Sequence, residues 1–138
     1  MLQCFDHLNL THDYYRPRIA AVLARPELAS RASEGYVPSR WGRIYMYFAL
    51  NPRWSFPVPA QLAPVEEPST MVLEAYLQRQ DMLLVLLARA ESADLCLPTV
   101  PIERGVRFSL GDCLKIVVEH DALHVAQAQG VQAAYLRR

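Results

Sequence analysis

The chain has 138 residues, 52% of them apolar, and its 14 basic and 14 acidic side chains give a formal net charge of zero. This length and apolar content suit one compact domain with a sizeable core, so we expect a single domain over residues 1–138. A neutral chain lacks the excess of lysine and arginine that binding to a phosphate backbone requires. We therefore expect no nucleic-acid partner.

The cysteines and apolar runs indicate a reducing, aqueous compartment. Cys4, Cys96 and Cys113 are odd in number and far apart in sequence, which argues against a disulfide framework and against a cysteine zinc site. The N-terminal segment has no basic region followed by a long apolar run, so it does not resemble a secretory signal. The longest apolar run, residues 82–88, is far shorter than the roughly 18 residues that span a membrane. We predict a soluble, cytoplasmic protein without a membrane partner.

The first predicted helix covers residues 2–24 and contains two histidines, His7 and His12. We expect Pro17 to kink or split this helix, because an interior proline removes a hydrogen bond and clashes with the preceding turn. The histidines are five residues and therefore about 140° apart, so at most one of them faces a given point outside the helix. The positions of the apolar residues around the helix mildly favour His12 over His7 as the histidine that faces the bundle interior. This argument depends on residues beyond Pro17, so the choice between the two histidines stays open.

The connection between Pro26 and Pro68 holds seven of the ten prolines. A connection of this length can carry the chain from one end of a bundle to the other, so it predicts a crossover and not a hairpin. Its aromatic segment at residues 40–50 suits either an additional helix or a buried strand-like piece. We expect Trp54 and Phe56 to attach the following loop to the bundle.

The second predicted helix covers residues 69–90, and Pro68 and Ser69 suit its start. Apolar residues recur there at three- and four-residue steps, which predicts a buried stripe. The predicted stripe consists of Leu73, Leu77, Gln80, Leu84 and Leu87, widened by Leu83 and Leu86.

The last predicted helix begins at Ser109, where Asp112 three residues later forms a capping-box variant, and Gly130 is a natural stop. Its stripe at three- and four-residue steps comprises Leu110, Cys113, Leu114, Val117, His120, His124, Gln127 and Val131. The two histidines therefore continue the apolar face. We expect Cys113 to be a buried, small apolar side chain.

His120 and His124 stand one turn apart on the same face, so their rings can converge on one metal ion at about 2.0–2.1 Å. The same spacing is also common in helices that bind nothing. Asp121 stands where a zincin has its catalytic glutamate, and no histidine or acid follows His124, so we do not expect a zincin. A third ligand must come from upstream in the sequence. We expect Asp121 and its neighbour Glu119 to be solvated carboxylates.

The stretch "RFSLGDCLKIVVEHDALHVAQAQG" resembles the last helix of the DinB-like, YfiT-type superfamily of four-helix bundles, which carries H-x-x-x-H followed by a glutamine. The stretch "LQCFDHLNLTHDYY" is similar to the family's second helix, in which a histidine before an apolar residue is the third metal ligand. The resemblance implies an all-α bundle of the up-down-down-up type with a long crossover. It assigns metal ligation to His7, His120 and His124, with Gln127 as a polar neighbour and His12 as the alternative third ligand.

The resemblance also implies a function. In that family three histidines hold a divalent ion such as zinc or nickel and leave coordination positions open. A thiol-dependent transferase or isomerase that uses a small thiol, or a metal-dependent hydrolase, is therefore the leading hypothesis. The competing hypothesis is a non-enzymatic helical module that dimerises or binds a partner, with an empty or structural metal site.

The family has a helix before the one that matches residues 2–15, whereas His7 stands six residues from the start of this chain. We therefore expect a bundle truncated at its N-terminus, with the segment at residues 40–50 or a second subunit in the vacant groove. A bundle that lacks one wall exposes apolar surface, which favours a homodimer.

Overall fold

The computed structural model describes residues 1–25, 35–51, 57–98 and 106–137. These ranges contain four α-helices and no β-strand, and the predicted all-α fold is confirmed. The elements are α1 (Leu2–Leu23), α2 (Arg40–Ala49), a 3-10 turn (Ala60–Leu62), α3 (Val72–Ala90) and α4 (Leu110–Leu136). No helix in the described ranges is both long and apolar enough to cross a lipid bilayer. Trp54 and Phe56 lie outside the described residues.

Helices α1 and α3 are parallel. The Asn9 amide donates to the carbonyl oxygen of Val72 near the start of both helices, and Arg89 donates to the carbonyl oxygen of Leu23 near the end of both. A parallel pair of consecutive long helices requires the chain to return along the length of the bundle between them. The segment from residue 24 to residue 71 is therefore the predicted crossover.

Helix α4 runs antiparallel to α1. His7 contacts His124, His12 contacts Asp121, and Tyr15 interacts with Cys113, so the position along α4 falls as the position along α1 rises. The directions of α1, α3 and α4 agree with the last three helices of an up-down-down-up bundle.

Helix α1 continues through Pro17 without interruption, so of the two predicted effects, a kink or a split, the split is wrong. Tyr15 and Ile19 lie on either side of the proline and are both buried in the core. Packing of the two halves against α3 and α4 compensates for the lost backbone hydrogen bond.

The aromatic segment at residues 40–50 forms a helix, α2, which resolves the alternative left open by its sequence. The hydroxyl of Ser39 caps it by accepting a hydrogen bond from the Gly42 amide at 3.0 Å. The helix packs on α4, and Tyr45 contacts Phe108 with ring centroids 5.3 Å apart. Trp41 and Tyr47 remain largely exposed on the opposite side.

The side chain of Asp112 joins the start of α2 to the start of α4. It accepts hydrogen bonds from the Ser109 amide, the Ser39 amide and the Tyr36 hydroxyl at 3.0, 3.1 and 2.6 Å. Burial raises the pKa of this carboxyl, but hydrogen bonds from Ser39, Tyr36 and Ser109 outweigh burial and hold the pKa below its ordinary value. Gly42 lies so close that a Cβ there would be 2.2 Å from Asp112 Oδ1.

Helix α4 has the predicted start but not the predicted end. Ser109 Oγ accepts from the Asp112 amide while the Asp112 carboxylate accepts from the Ser109 amide, so the capping box is confirmed. The predicted stop at Gly130 is wrong, because the helix continues to Leu136. Gly130 does not adopt the left-handed backbone of a helix-ending glycine. From residue 129 onward the helix is exposed to solvent.

The predicted stripe of α3 is partly wrong: Leu83 and Leu86, which were expected to widen it, are buried, but its predicted centre is not. Leu73, Leu77 and Leu84 are 45%, 57% and 63% exposed. The buried residues of α3 are Val72, Tyr76, Leu83, Leu86 and Ala90. The buried face lies about 100° from the predicted one. Helix α3 is apolar on two neighbouring faces, and periodicity alone does not tell which of them packs in the core.

The apolar core lies between the C-terminal half of α1, the C-terminal half of α3 and the N-terminal half of α4. Cys113 is fully buried in it, as expected. The polar side chains of α1, among them His7 and His12, are buried towards its other end. The fold thus separates an apolar core from a polar region that contains all four histidines.

Candidate metal centre

Antiparallel packing of α1 against α4 brings the three predicted histidines together. His120 Nε2 lies 3.2 Å from His7 Nε2 and 2.9 Å from His124 Nε2. One ring nitrogen from each histidine lies within 4.8 Å of the other two. His7 is buried and the other two rings are half-buried. We call His7, His120 and His124 the histidine trio.

The crossover orients one member of the trio. His7 Nδ1 lies 2.7 Å from the carbonyl oxygen of Leu62, at the end of the 3-10 turn. A carbonyl oxygen only accepts, so Nδ1 carries the proton and donates. In a neutral ring the lone pair is then on Nε2, the nitrogen that faces the other two histidines. Histidine ligands of metals commonly have this arrangement.

The contacts inside the trio cannot all be hydrogen bonds between neutral rings. His120 Nε2 touches two other Nε2 atoms and carries at most one proton, which serves one of the two contacts. His120 Nδ1 and His124 Nδ1 are buried without a hydrogen-bond partner among the described residues, so the protein fixes only the tautomer of His7. A cation between the three nitrogen atoms would satisfy all three lone pairs, and the residues therefore fit a metal ion.

Burial keeps the rings of His120 and His124 uncharged at neutral pH. Burial and, next, the neighbouring His124 lower the pKa of His120 to about 3. Burial and His7 also lower the pKa of His124, and they outweigh the opposing effect of the nearby Gln127 side chain. Neutral imidazole is the form that binds a metal, so these rings need lose no proton at neutral pH.

The trio lines a cavity of about 390 Å³. Its walls come from α1, α2, α4 and residues 57–62. Hydroxyl and amide groups of Thr11, Tyr15, Tyr45, Asn51 and Gln127 line it together with apolar side chains such as Ile116 and Leu123. A small molecule in the cavity would thus meet the histidines, neutral hydrogen-bonding groups and apolar surface at once.

Comparison with models of known protein families assigns the chain to a family. The family model described as the DinB superfamily matches residues 1–128. The chain belongs to the DinB superfamily. The match includes every residue of the histidine trio and ends at Ala128, the last buried residue of α4. Comparisons with curated proteins and with solved structures found no match.

In this DinB superfamily member, α2 and α1 contribute two tyrosines that sequence reasoning did not select. Burial, then Tyr45, raises the pKa of Tyr15 far above its ordinary value, and the two hydroxyl groups are hydrogen-bonded. Both tyrosines line the cavity beside the trio. The only sequence signal for Tyr45 is its place in an amphipathic aromatic segment, which suits a core or an interface equally well.

The fourth histidine of the DinB bundle, His12, lies outside the trio. Its Nε2 is 3.0 Å from both carboxylate oxygens of Asp121. The expectation that Asp121 is solvated is wrong, because the helix rotation that points His120 at α1 turns Asp121 into the space between α1 and α3. Glu119, on the other side of His120, pairs with Lys115 at the surface, as expected.

Proposed function

We propose that this DinB superfamily protein binds one divalent metal ion, zinc or nickel, through His7, His120 and His124. The convergence of three imidazole nitrogens from opposite ends of the chain is the observation that carries the proposal. Neutral imidazole suits both metals. The fixed tautomer of His7 and the lowered pKa of His120 and His124 support it, since all favour an available lone pair.

We further propose that the site is catalytic, as a thiol-dependent transferase or isomerase or a metal-dependent hydrolase. Three protein ligands leave at least one coordination position open in the usual zinc geometry. An ion held there would act as a Lewis acid and lower the pKa of a bound water or thiol. The trio lines a cavity that admits a small molecule, which supports this function over a closed structural site.

The other cavity residues have roles that follow from their chemistry. Tyr45, Asn51 and Gln127 present hydroxyl and amide groups that can orient a polar substrate group, while Ile116 and Leu123 contact its apolar part and exclude water. Apart from histidine, the described residues that line the cavity include no ionisable acid, lysine or arginine. This lining favours a substrate whose bound portion is uncharged.

Elemental analysis of protein purified without chelator tests metal binding. We expect a stoichiometric divalent metal in the wild type and its loss in His124→Ala. Glu119→Gln is the matched control, because Glu119 directly precedes His120 on α4 but pairs with Lys115 at the surface. Equal metal content in the wild type and in His124→Ala would disprove the ligand assignment.

A spectroscopic titration tests the thiol chemistry. Cobalt-substituted protein is titrated with 2-mercaptoethanol, and we expect the visible d–d bands to change as the thiolate enters an open coordination position. A spectrum that no small thiol alters would argue against a thiol-dependent reaction and leave hydrolysis as the catalytic candidate.

A non-enzymatic module that dimerises or binds a partner is the second candidate. It is favoured by the exposed leucines of α3, Leu73, Leu77 and Leu84, which form an apolar face without a partner among the described residues. Metal bound with four protein ligands and no exchangeable position would favour this function over catalysis.

A further inference from the structure

A buried polar cluster lies next to the histidine trio and joins three helices. It consists of His12 on α1, Gln80 on α3 and Asp121 on α4, and we call it the His12–Gln80–Asp121 cluster. The exposed fractions of His12 and Asp121 are 3% and 7%. His12 Nε2 lies 3.0 Å from each carboxylate oxygen of Asp121, and Gln80 Nε2 lies 2.7 Å from Asp121 Oδ2.

The hydrogen-bond roles in this cluster are determined by the carboxylate. A carboxylate only accepts, so the His12 Nε2–H and the Gln80 amide both donate to Asp121. The 3.2 Å between Gln80 Nε2 and His12 Nε2 is then the approach of two donors that share one acceptor group. A buried charge is tolerated only when it is paired and hydrogen-bonded, so loss of either donor is costly. The cluster therefore favours one relative placement of the three helices.

The cluster and the trio share two helices and adjacent residues. Asp121 directly follows His120 on α4, and its side chain projects about 100° further around the helix. The apolar core holds the N-terminal half of α4, but beyond Val117 only Asp121 and Ala128 of this helix are buried. The contacts of His7 with His120 and His124 alone would leave this part of α4 able to rotate about its axis or shift along α1. The contact between His12 and Asp121, tied to α3 through Gln80, opposes both movements. Metal–ligand distances tolerate only about 0.2 Å of variation, so a small rotation of α4 would matter.

We propose that Asp121 is a positioning residue for the metal centre. It does not face the trio; it holds α4 in the rotation and height at which His120 Nε2 meets His7 Nε2. The inference rests on the proposed function, because its consequence is a higher metal affinity and a defined coordination geometry.

Asp121→Asn tests the inference. The variant side chain has nearly the same shape, but its amide nitrogen donates and so opposes one of the two donors that converge on it. We expect the zinc dissociation constant, measured by competition with a chromophoric chelator, to rise about 10- to 100-fold. We also expect the d–d bands of the cobalt-substituted protein to shift. Glu119→Gln is the matched control, since Glu119 is the other neighbour of His120 and pairs only at the surface; it should leave both measurements unchanged.

Gln80→Met provides a second variant that keeps helix propensity and removes only the α3 donor. We expect a smaller rise of the dissociation constant in the same direction, and this variant decides the matter if Asp121→Asn does not fold by circular dichroism. A purely structural role would lower the unfolding midpoint of the metal-free variants but leave the bound-cobalt spectrum as in the wild type.

The outcomes separate the two proposals. If both variants keep the wild-type zinc affinity and cobalt spectrum while His124→Ala loses the metal, the positioning role is overturned and the metal site stands. If the wild type itself binds neither zinc nor cobalt, both proposals are overturned.

Discussion

At the residue scale, the two histidines of α1 have different environments. His7 donates to a backbone carbonyl and turns its lone pair towards two other imidazoles, while His12 donates to a buried carboxylate. The partner of the first nitrogen determines what the ring offers at the second. His7 is therefore available to a metal and His12 is engaged in holding the helices together.

The low pKa of His120 predicts a pH dependence of stability. Its pKa is about 3 in the folded protein and ordinarily 6.5, so between these values the unfolded chain binds more protons than the folded one. The free energy of unfolding of the metal-free protein should therefore fall as the pH drops below about 6.5, by up to about 1.4 kcal/mol per pH unit for this group. His124 contributes in the same direction.

Urea unfolding at pH 7.5 and at pH 5.5 measures this effect, and His120→Gln is the control. We expect the wild type to lose more stability than the variant between these two conditions, because glutamine does not titrate. An equal loss in both proteins would show that His120 does not cause the pH dependence.

Sequence reasoning reached the histidine trio but not the cluster beside it, for a physical reason. The i, i+4 spacing puts His120 and His124 on one face whatever surrounds the helix, and the family resemblance supplied His7. Burial of Asp121 depends on which way α4 is rotated against α1 and α3. That rotation is set by packing between helices far apart in sequence, and no local pattern records it.

At the scale of the elements, the starts of α2 and α4 depend on one carboxylate. Asp112 is fully buried and takes hydrogen bonds from three residues, so it cannot move aside at low cost. Close approach of the α2 backbone requires that Gly42 have no side chain. Helix α2, which forms one wall of the cavity, is thereby fixed to the start of α4.

Substitution of Gly42 tests this contact. Gly42→Ala should lower the free energy of unfolding by about 1–3 kcal/mol, since the added Cβ would overlap the Asp112 carboxylate. Gly130→Ala is the matched control, because no atom lies within 4 Å of a Cβ at that helical position. It should stabilise the protein by about 0.5–1 kcal/mol. Chemical denaturation measures both, and an equal effect of the two changes would contradict the proposed contact.

Helix ends and phases were predictable where a local signal determines them and not where packing does. The capping box at Ser109 is local chemistry and was found from four residues. The continuation of α1 through Pro17 and of α4 through Gly130 opposes local preference. The centre of the buried face of α3 was predicted wrongly because leucines occupy two faces of this helix. Packing against α1 and α4 determines which of the two faces is buried.

At the scale of the whole molecule, α1 is the central helix and packs against both α3 and α4. Burial of Leu83 and Leu86 satisfies one face of α3, while Leu73, Leu77 and Leu84 remain on the surface. The sequence also predicted a homodimer. We retain this as a proposal and place the exposed leucines of α3 in the interface.

Sedimentation equilibrium tests the dimer. We expect a dimer for the wild type and a monomer for Leu77→Lys, because a charge buried at the centre of an apolar interface is not paired. Val37→Lys is the control, since Val37 is an exposed apolar residue of the crossover and lies outside α3. A monomeric wild type at micromolar concentration, or dissociation by both changes alike, would argue against this interface.

The acceptor that orients His7 is a main-chain oxygen, that of Leu62. Any amino acid at position 62 that keeps the 3-10 turn in place supplies the same carbonyl oxygen. The residue type there can therefore change without disturbing the orientation of the His7 imidazole. This hydrogen bond depends on the backbone path of the connection between α1 and α3, and side-chain identities in the sequence do not reveal it. An insertion or deletion within residues 57–62 would therefore disturb the ring more than any single replacement there.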